Sequence, residues 1–147
     1  MTEYFVQPQD ASAAAAIAAI SDELAVFDDW MDRYAYIIEL GKQLPPLPPD
    51  WMDDAHRVPG CQSKVWMEAE ERDSKLFFAG ASDAAIVSGL VALLLRVYSG
   101  RTADDIIATD PVFLKELGLL EALSTNRGNG VAAMARALQQ RARASAG

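Results

Sequence analysis

The sequence predicts an α+β domain of two layers, with a small three-stranded antiparallel sheet packed against helices. Three observations carry that expectation. Helical patterning at both ends brackets a central stretch with a period of two. One helix-length segment is apolar on almost every side. No repeat and no second composition block interrupts the 147 residues, and a chain of that length buries roughly two-thirds of its unfolded surface as one domain.

Each element has its own signal. "DASAAAAIAAI" is built of strong helix formers, with Asp10 as a cap and continuation through Leu24 and Phe27. Residues 1–20 thus read as an alanine-rich extension or a first helix. "DDWMDRYAYIIELGKQL" follows, with Trp30, Tyr34, Ile37, Ile38 and Gly41 on one helical face and Asp28, Asp29 and Asp32 in the first turn, where the helix dipole favours acids. "PPLPP" ends it and reads as a stiff extended connector.

The period then changes. In "KVWMEAEE" Val65, Met67 and Ala69 alternate with Trp66, Glu68 and Glu70, and "KLFFAG" returns across the polar turn "ERDS" as a hairpin. A short strand near Ala55 to Val58 is expected to supply the third strand. "SDAAIVSGLVALLLRVYSG" reads as the central helix, capped by Ser82 with Asp83 in its first turn and stopped at Gly100. Gly89 inside it implies close approach by a neighbour, since a mid-helix glycine is otherwise a cost. "TADD" has the form of a capping box, and "DPVFLKELG" runs from Asp110 as cap to Gly118 as stop. A last helix carries its basic residues towards the C-terminus.

Composition excludes several functions. The net charge is −8, and residues 1–54 carry eleven acids against Arg33 and Lys42. Such a chain repels phosphate backbones, so no nucleic-acid partner is expected. One cysteine forms no internal disulfide, and with a single histidine it offers no metal site. The most apolar segment contains Arg96 and is too short to span a bilayer, and no signal-peptide pattern opens the chain. No membrane partner and a cytoplasmic location are the expectations.

The one cysteine stands in "RVPGCQSKVW", between a Pro-Gly turn and a strand. On residue type alone a free cysteine is a small core hydrophobe. The setting points the other way: Gly60 leaves room for a second molecule to approach, and Gln62 and Ser63 are polar. Reactivity needs thiolate and access, and Arg57, Lys64 and His56 are close in sequence. His56 is a conceivable base, although a lone histidine at a strand edge is more often incidental. "RGNG", Arg127 to Gly130, either begins or precedes the last helix, as an anion-binding nest or as a loose first turn. Asp50, Asp53 and Asp54 lack calcium-loop spacing and read as a solvated turn.

Four segments together, "WMDRYAYIIELGKQLPPLP", "VPGCQSKVWMEAE", "GASDAAIVSGLVALLLRVYSG" and "LSTNRGNGVAAMARAL", closely resemble the SufE family of cysteine-desulfuration proteins. The resemblance implies a fold shared with iron–sulfur scaffold proteins of the IscU type. It implies that Cys61 accepts sulfur as a persulfide from a pyridoxal-phosphate-dependent cysteine desulfurase, stimulates that enzyme, and passes the sulfur to an iron–sulfur scaffold complex. Gly60, Gln62 and Ser63 then form the supporting loop with Ser82 and Asp83 beside it, and Arg127 and Gly130 are candidate partner contacts. The chain needs no cofactor or metal of its own on this reading, and acts as a monomer or homodimer. The cysteine is expected to pack its sulfur against apolar neighbours when free and to swing out on docking. A one-cysteine redox protein and a non-catalytic interaction module are the alternatives; the first lacks an arginine signature beside Cys61, and the second predicts that Cys61→Ser changes nothing.

Overall fold

The computed structural model describes residues 4–60, 63–119 and 125–146. Helices α1 (Ala13–Ala25) and α2 (Trp30–Lys42) come first, followed by 3-10 turns at Pro49–Trp51 and Asp54–His56. Strands β1 (Val65–Arg72) and β2 (Lys75–Ser82) form the hairpin, and α3 (Ala85–Tyr98) leads to a two-residue strand β3 (Arg101–Thr102). The chain ends in α4 (Ala103–Ala108), α5 (Phe113–Glu116) and the long α6 (Thr125–Ala146). This is the α+β class that the periodicity predicts.

The antiparallel sheet has the order β1-β2-β3. Its third strand therefore follows α3 and does not come from residues 55–58. There the chain makes a 3-10 turn and touches β1 only at the bridge between Arg57 and Trp66. Too few residues separate this segment from the tight turn at Pro59 and Gly60 for a longer ladder. Between β1 and β2 the turn consists of Asp73 and Ser74, both at positive φ (53° and 66°). That is the two-residue geometry whose twist matches the hairpin's own.

Alternation along the strands gives the sheet two apolar faces. Val65, Met67 and Ala69 of β1, with Leu76 and Phe78 of β2, join the main core built on α3 and α6. Trp66, Phe77, Ala79 and Ala81 face a smaller cluster made with Tyr4, Phe5, Leu47 and Trp51. The N-terminal segment is thus a strap across the sheet. Val6 N–H donates to Phe78 O (2.9 Å), and the Ser99 hydroxyl donates to Val6 O (2.6 Å) while accepting from Phe78 N–H (2.9 Å).

Asp10 belongs to that strap and does not cap α1. Its carboxylate takes Nε of Arg96 at 3.0 Å, and Ser12 caps the helix by accepting from Ala15 N–H. The largely buried Arg96 also pairs with Glu23 (2.9 Å), so one guanidinium ties strap, α1 and α3 together. Helix α3 is central, with ten of its fourteen residues buried. Gly89 explains how closely α2 crosses it: a methyl there would overlap the Ile37 carbonyl, and one on Gly41 would lie 2.5 Å from Gly89 N.

Candidate functional site

The cysteine lies within residues 59–64, a six-residue loop between the last two residues that pair at its base. Val58 N–H donates to Val65 O at 2.8 Å, and both side chains are buried, so the loop stands on an apolar foot. Cys61 and Gln62 themselves fall outside the described residues, and the expectation that the sulfur packs inward falls there with them. Gly60 has φ +85°, the left-handed region that a side chain disfavours, and its open side looks towards Ala133 of α6.

The other stem is held by polar contacts at Lys64. Its C=O accepts from the Ser82 hydroxyl (2.7 Å) and from Asp83 N–H (3.2 Å). Its N–H donates to Asp83 Oδ1 (3.1 Å). The Ser82 oxygen also accepts from Ala84 N–H (3.2 Å), and Ser88 donates back to Ser82 O (3.2 Å). This corrects the reading of Ser82 as the cap of α3. That cap is Ala84, which has no side-chain hydrogen bond, and Asp83 stands before the first turn. Ser82 ends β2, and its hydroxyl and the Asp83 carboxylate are drawn to Lys64 because β2 pairs Ser82 with Val65.

The predicted site residues thus fall into two groups. Ser82 and Asp83 meet Lys64 at the second stem, next in sequence to Ser63, while Gly60 stands on the first stem against Ala133. Arg127 and Gly130 lie in the first turns of α6, which includes all of "RGNG", so its glycines are helical and do not form a nest ahead of the helix. Gly130 is buried and sits one turn before Ala133, on the side of α6 that meets the loop. The side chain of Arg127 lies outside the described residues.

His56 is no free base. Its Nδ1 meets Asp53 Oδ1 at 2.7 Å and its Nε2 meets Glu68 Oε2 at 2.9 Å, and its ring stacks on Trp51. The hydrogen bond to Asp53, joined by the one to Glu68, raises the imidazole above its ordinary value despite partial desolvation. The same contact holds Asp53 below the usual carboxylate range. Asp53 also accepts from His56 N–H, capping its 3-10 turn, so that part of the acidic cluster is structural. Among the described residues no group of three or more metal-ligating side chains is gathered, and no helix is long and apolar enough to cross a membrane.

Sequence reasoning did not find Lys64's backbone as the clamped element, Ala133 as the wall, or Glu68 as the partner of His56. Glu68 carried a faint signal, because the alternation in β1 already set it on the face opposite the core. Nothing local marks Ala133 among the alanines of α6.

Comparison with known proteins accounts for this arrangement. A solved structure, the solution structure of a hypothetical protein from Thermus thermophilus, superposes with a TM-score of 0.72 at 22% identity, covering 87% of this chain and 93% of that one; it shows a shared fold. An uncharacterized SufE-like protein of Rhizobium meliloti (strain 1021) is 41% identical over 84% of this chain and 91% of its own length. A second such protein, from Rhizobium etli, is 39% identical over 90% and 93%. The sulfur acceptor protein CsdE of Escherichia coli (strain K12) is 37% identical over 81% and 82%. The model described as "SufE: Fe-S metabolism associated domain" matches residues 18–142, and the chain therefore belongs to the SufE family.

Proposed function

We propose that this chain is a sulfur acceptor and carrier: Cys61 takes sulfur as a persulfide from a pyridoxal-phosphate-dependent cysteine desulfurase, stimulates that enzyme by clearing it, and delivers the sulfur to an iron–sulfur scaffold complex. The observation that carries the reading is the placement of the only cysteine of the sequence in a six-residue loop, footed on Val58 and Val65 and clamped at Lys64 by Ser82 and Asp83. The relative whose printed name is sulfur acceptor protein supports it.

The chemistry asks little of the chain. The Cys61 thiolate attacks the terminal sulfur of the donor's persulfide. The donor S–S bond breaks, a new S–S bond forms on Cys61, and the donor cysteine leaves as thiolate. The exchange is isoelectronic and calls for no external oxidant. A second nearby thiol would attack the new persulfide, expel sulfide and leave a disulfide, and a sequence with one cysteine cannot do this internally. Stems held at Val58, Val65 and Lys64 allow a partner to engage the loop between them without unfolding the sheet.

Intact-protein mass spectrometry tests this after incubation with a cysteine desulfurase and free cysteine, without reductant. A gain of sulfur mapped to Cys61, absent in Cys61→Ser, is expected. An unchanged mass with two different active desulfurases would overturn the proposal.

A further inference from the structure

The two stems of the cysteine loop are fastened by different chemistry. At Lys64 the second stem is held through its own amide and carbonyl by Ser82 and Asp83. The first stem leans on the only histidine of the sequence. It follows directly on the Asp54–His56 turn. The bridge between Arg57 and Trp66, with Val58 N–H on Val65 O, sets the His56 C=O opposite the Met67 N–H, so the short ladder under the loop ends at His56. There the side chain adds a second tie. Its ring spans from Asp53 Oδ1 (2.7 Å), at the cap of its own turn, to Glu68 Oε2 (2.9 Å) on β1.

The ring can satisfy both contacts in one protonation state only. An imidazolium has two N–H donors, whereas a neutral imidazole has one donor and one lone pair. An ionised carboxylate only accepts, so after proton loss one ring nitrogen faces an oxygen with no hydrogen between them. The remaining bonds decide which contact yields. Asp53 Oδ1 also accepts the His56 backbone N–H at 3.0 Å, within a single turn of chain. Glu68 lies across on β1, with its other oxygen taken by the Ala69 N–H at 2.8 Å. The contact between turn and strand is therefore the one lost.

The surroundings set the charge of the ring. Asp53 and Glu68 touch it, Asp54 shares its turn, and Trp51 stacks on it without charge. Arg57 and, from α6, Arg141 line the same cavity of about 210 Å³ and oppose the proton, but the carboxylates are the groups in contact. The net effect, led by the hydrogen bond to Asp53, raises the imidazole and carries the charged form to higher pH than a free ring allows.

We infer that His56 is a positioning residue for the cysteine loop: as an imidazolium it clamps the first stem to β1, and as a neutral ring it releases that stem. The assignment rests on the sulfur-acceptor reading for the purpose of the loop, while the clamp is independent of what Cys61 carries.

Amide hydrogen exchange followed by NMR on the full chain tests this, with the resonance of the single histidine reporting its own titration. Protection of Val58 N–H is corrected for the intrinsic pH dependence of exchange and referred to the buried Phe78 N–H. It should fall about threefold as the ring loses its proton, the ratio that a partly exposed ion pair supplies. His56→Gln should show the lower protection throughout. Glu68→Gln separates charge from shape: its oxygen can keep the Ala69 N–H while its amide donates to Nε2 of the neutral ring, so the clamp should survive proton loss. Alkylation of Cys61 by iodoacetamide is the second readout. The native chain should react more slowly than His56→Gln while the ring is charged, and equally fast once it is neutral. A ring that acted only through its field on the thiol would give the opposite order. Circular dichroism establishes that each variant is folded, and if one is not, the exchange profile of the native chain decides. Val58 protection that ignores the His56 titration, a folded Glu68→Gln that releases as the native chain does, or native alkylation faster than that of His56→Gln at low pH would overturn the inference. No readout uses a persulfide, so a failure to accept sulfur from a desulfurase is a separate result.

Discussion

The two ends of α3 are held by opposite means. At the C-terminal end the partners are buried: Ser99 is fully enclosed between Phe78 and Val6, and Arg101, 5% exposed, donates to Val97 O and Asp10 O. At the N-terminal end the contacts to Lys64 lie at the surface. Water competes for a surface hydrogen bond and leaves little net stabilisation, whereas a buried group that loses its partner suffers the full desolvation penalty. One helix therefore serves as an anchor at one end and as a yielding support for the cysteine loop at the other.

Substitutions can break this contrast. Between the two ends, Gly89→Ala sets the upper scale, because the added methyl meets the Ile37 backbone, which cannot move aside as a side chain can. A loss of about 3 kcal/mol or more is expected from overpacking, read as a lowered urea midpoint. Arg96→Met leaves Asp10 and Glu23 without their shared cation, and breaking such a largely buried pair costs about 3 kcal/mol. Ser99→Ala orphans the Phe78 amide inside the core, for about 1–3 kcal/mol. Asp83→Ala at the other end should cost under about 1 kcal/mol and yet speed alkylation of Cys61. Equal losses at both ends, or unchanged alkylation, would refute the distinction.

The smallest effect depends on pH. His56 is raised, chiefly by its hydrogen bond to Asp53, so its contribution is complete below an unfolded pKa of about 6.5 and is lost as pH rises through the higher folded value. Asp53 is lowered, so its contribution is present above about pH 4 and is lost as pH falls through its folded value. The melting temperature of the native chain should exceed that of His56→Gln most between those limits, and the gap should narrow at alkaline pH. A gap that widens above neutrality would show that the pair contributes by packing alone.

What was legible in the sequence follows from the range of the interactions. Gly89 and the apolar faces of α3 announced themselves because periodicity is local, and Thr102 caps α4 next to the amide it serves. Asp110 bonds the near amide of Val112, but the cap of α5 is Val112 itself, and Asp29, read as part of the first turn of α2, is its cap. Asp10 and Ser82 were misread for a related reason. Each stands where a capping residue stands, but each is claimed by a group far along the chain, Arg96 and Lys64. The third strand was misplaced because a two-residue strand has no period to detect. Within the candidate site, the loop residues and their neighbours Ser82 and Asp83 were named from the sequence. The wall at Ala133 was not, since it arises only where α6 comes to lie against the loop stem.

The N-terminal strap has a consequence for the order of events during synthesis. Val6 bonds to Ser99, Asp10 to Arg101 and Asp10 to Arg96, across 93, 91 and 86 residues of sequence. Residues 6–10 leave the ribosome with none of these seats yet made, and must wait until residue 101 has followed them out. Contacts of such separation close slowly, because the entropy of the intervening chain must be overcome before they contribute. Until then the outer face of the hairpin, with Trp66 and Phe77, stands uncovered. During that interval a nascent-chain chaperone would find an apolar surface that the finished fold hides.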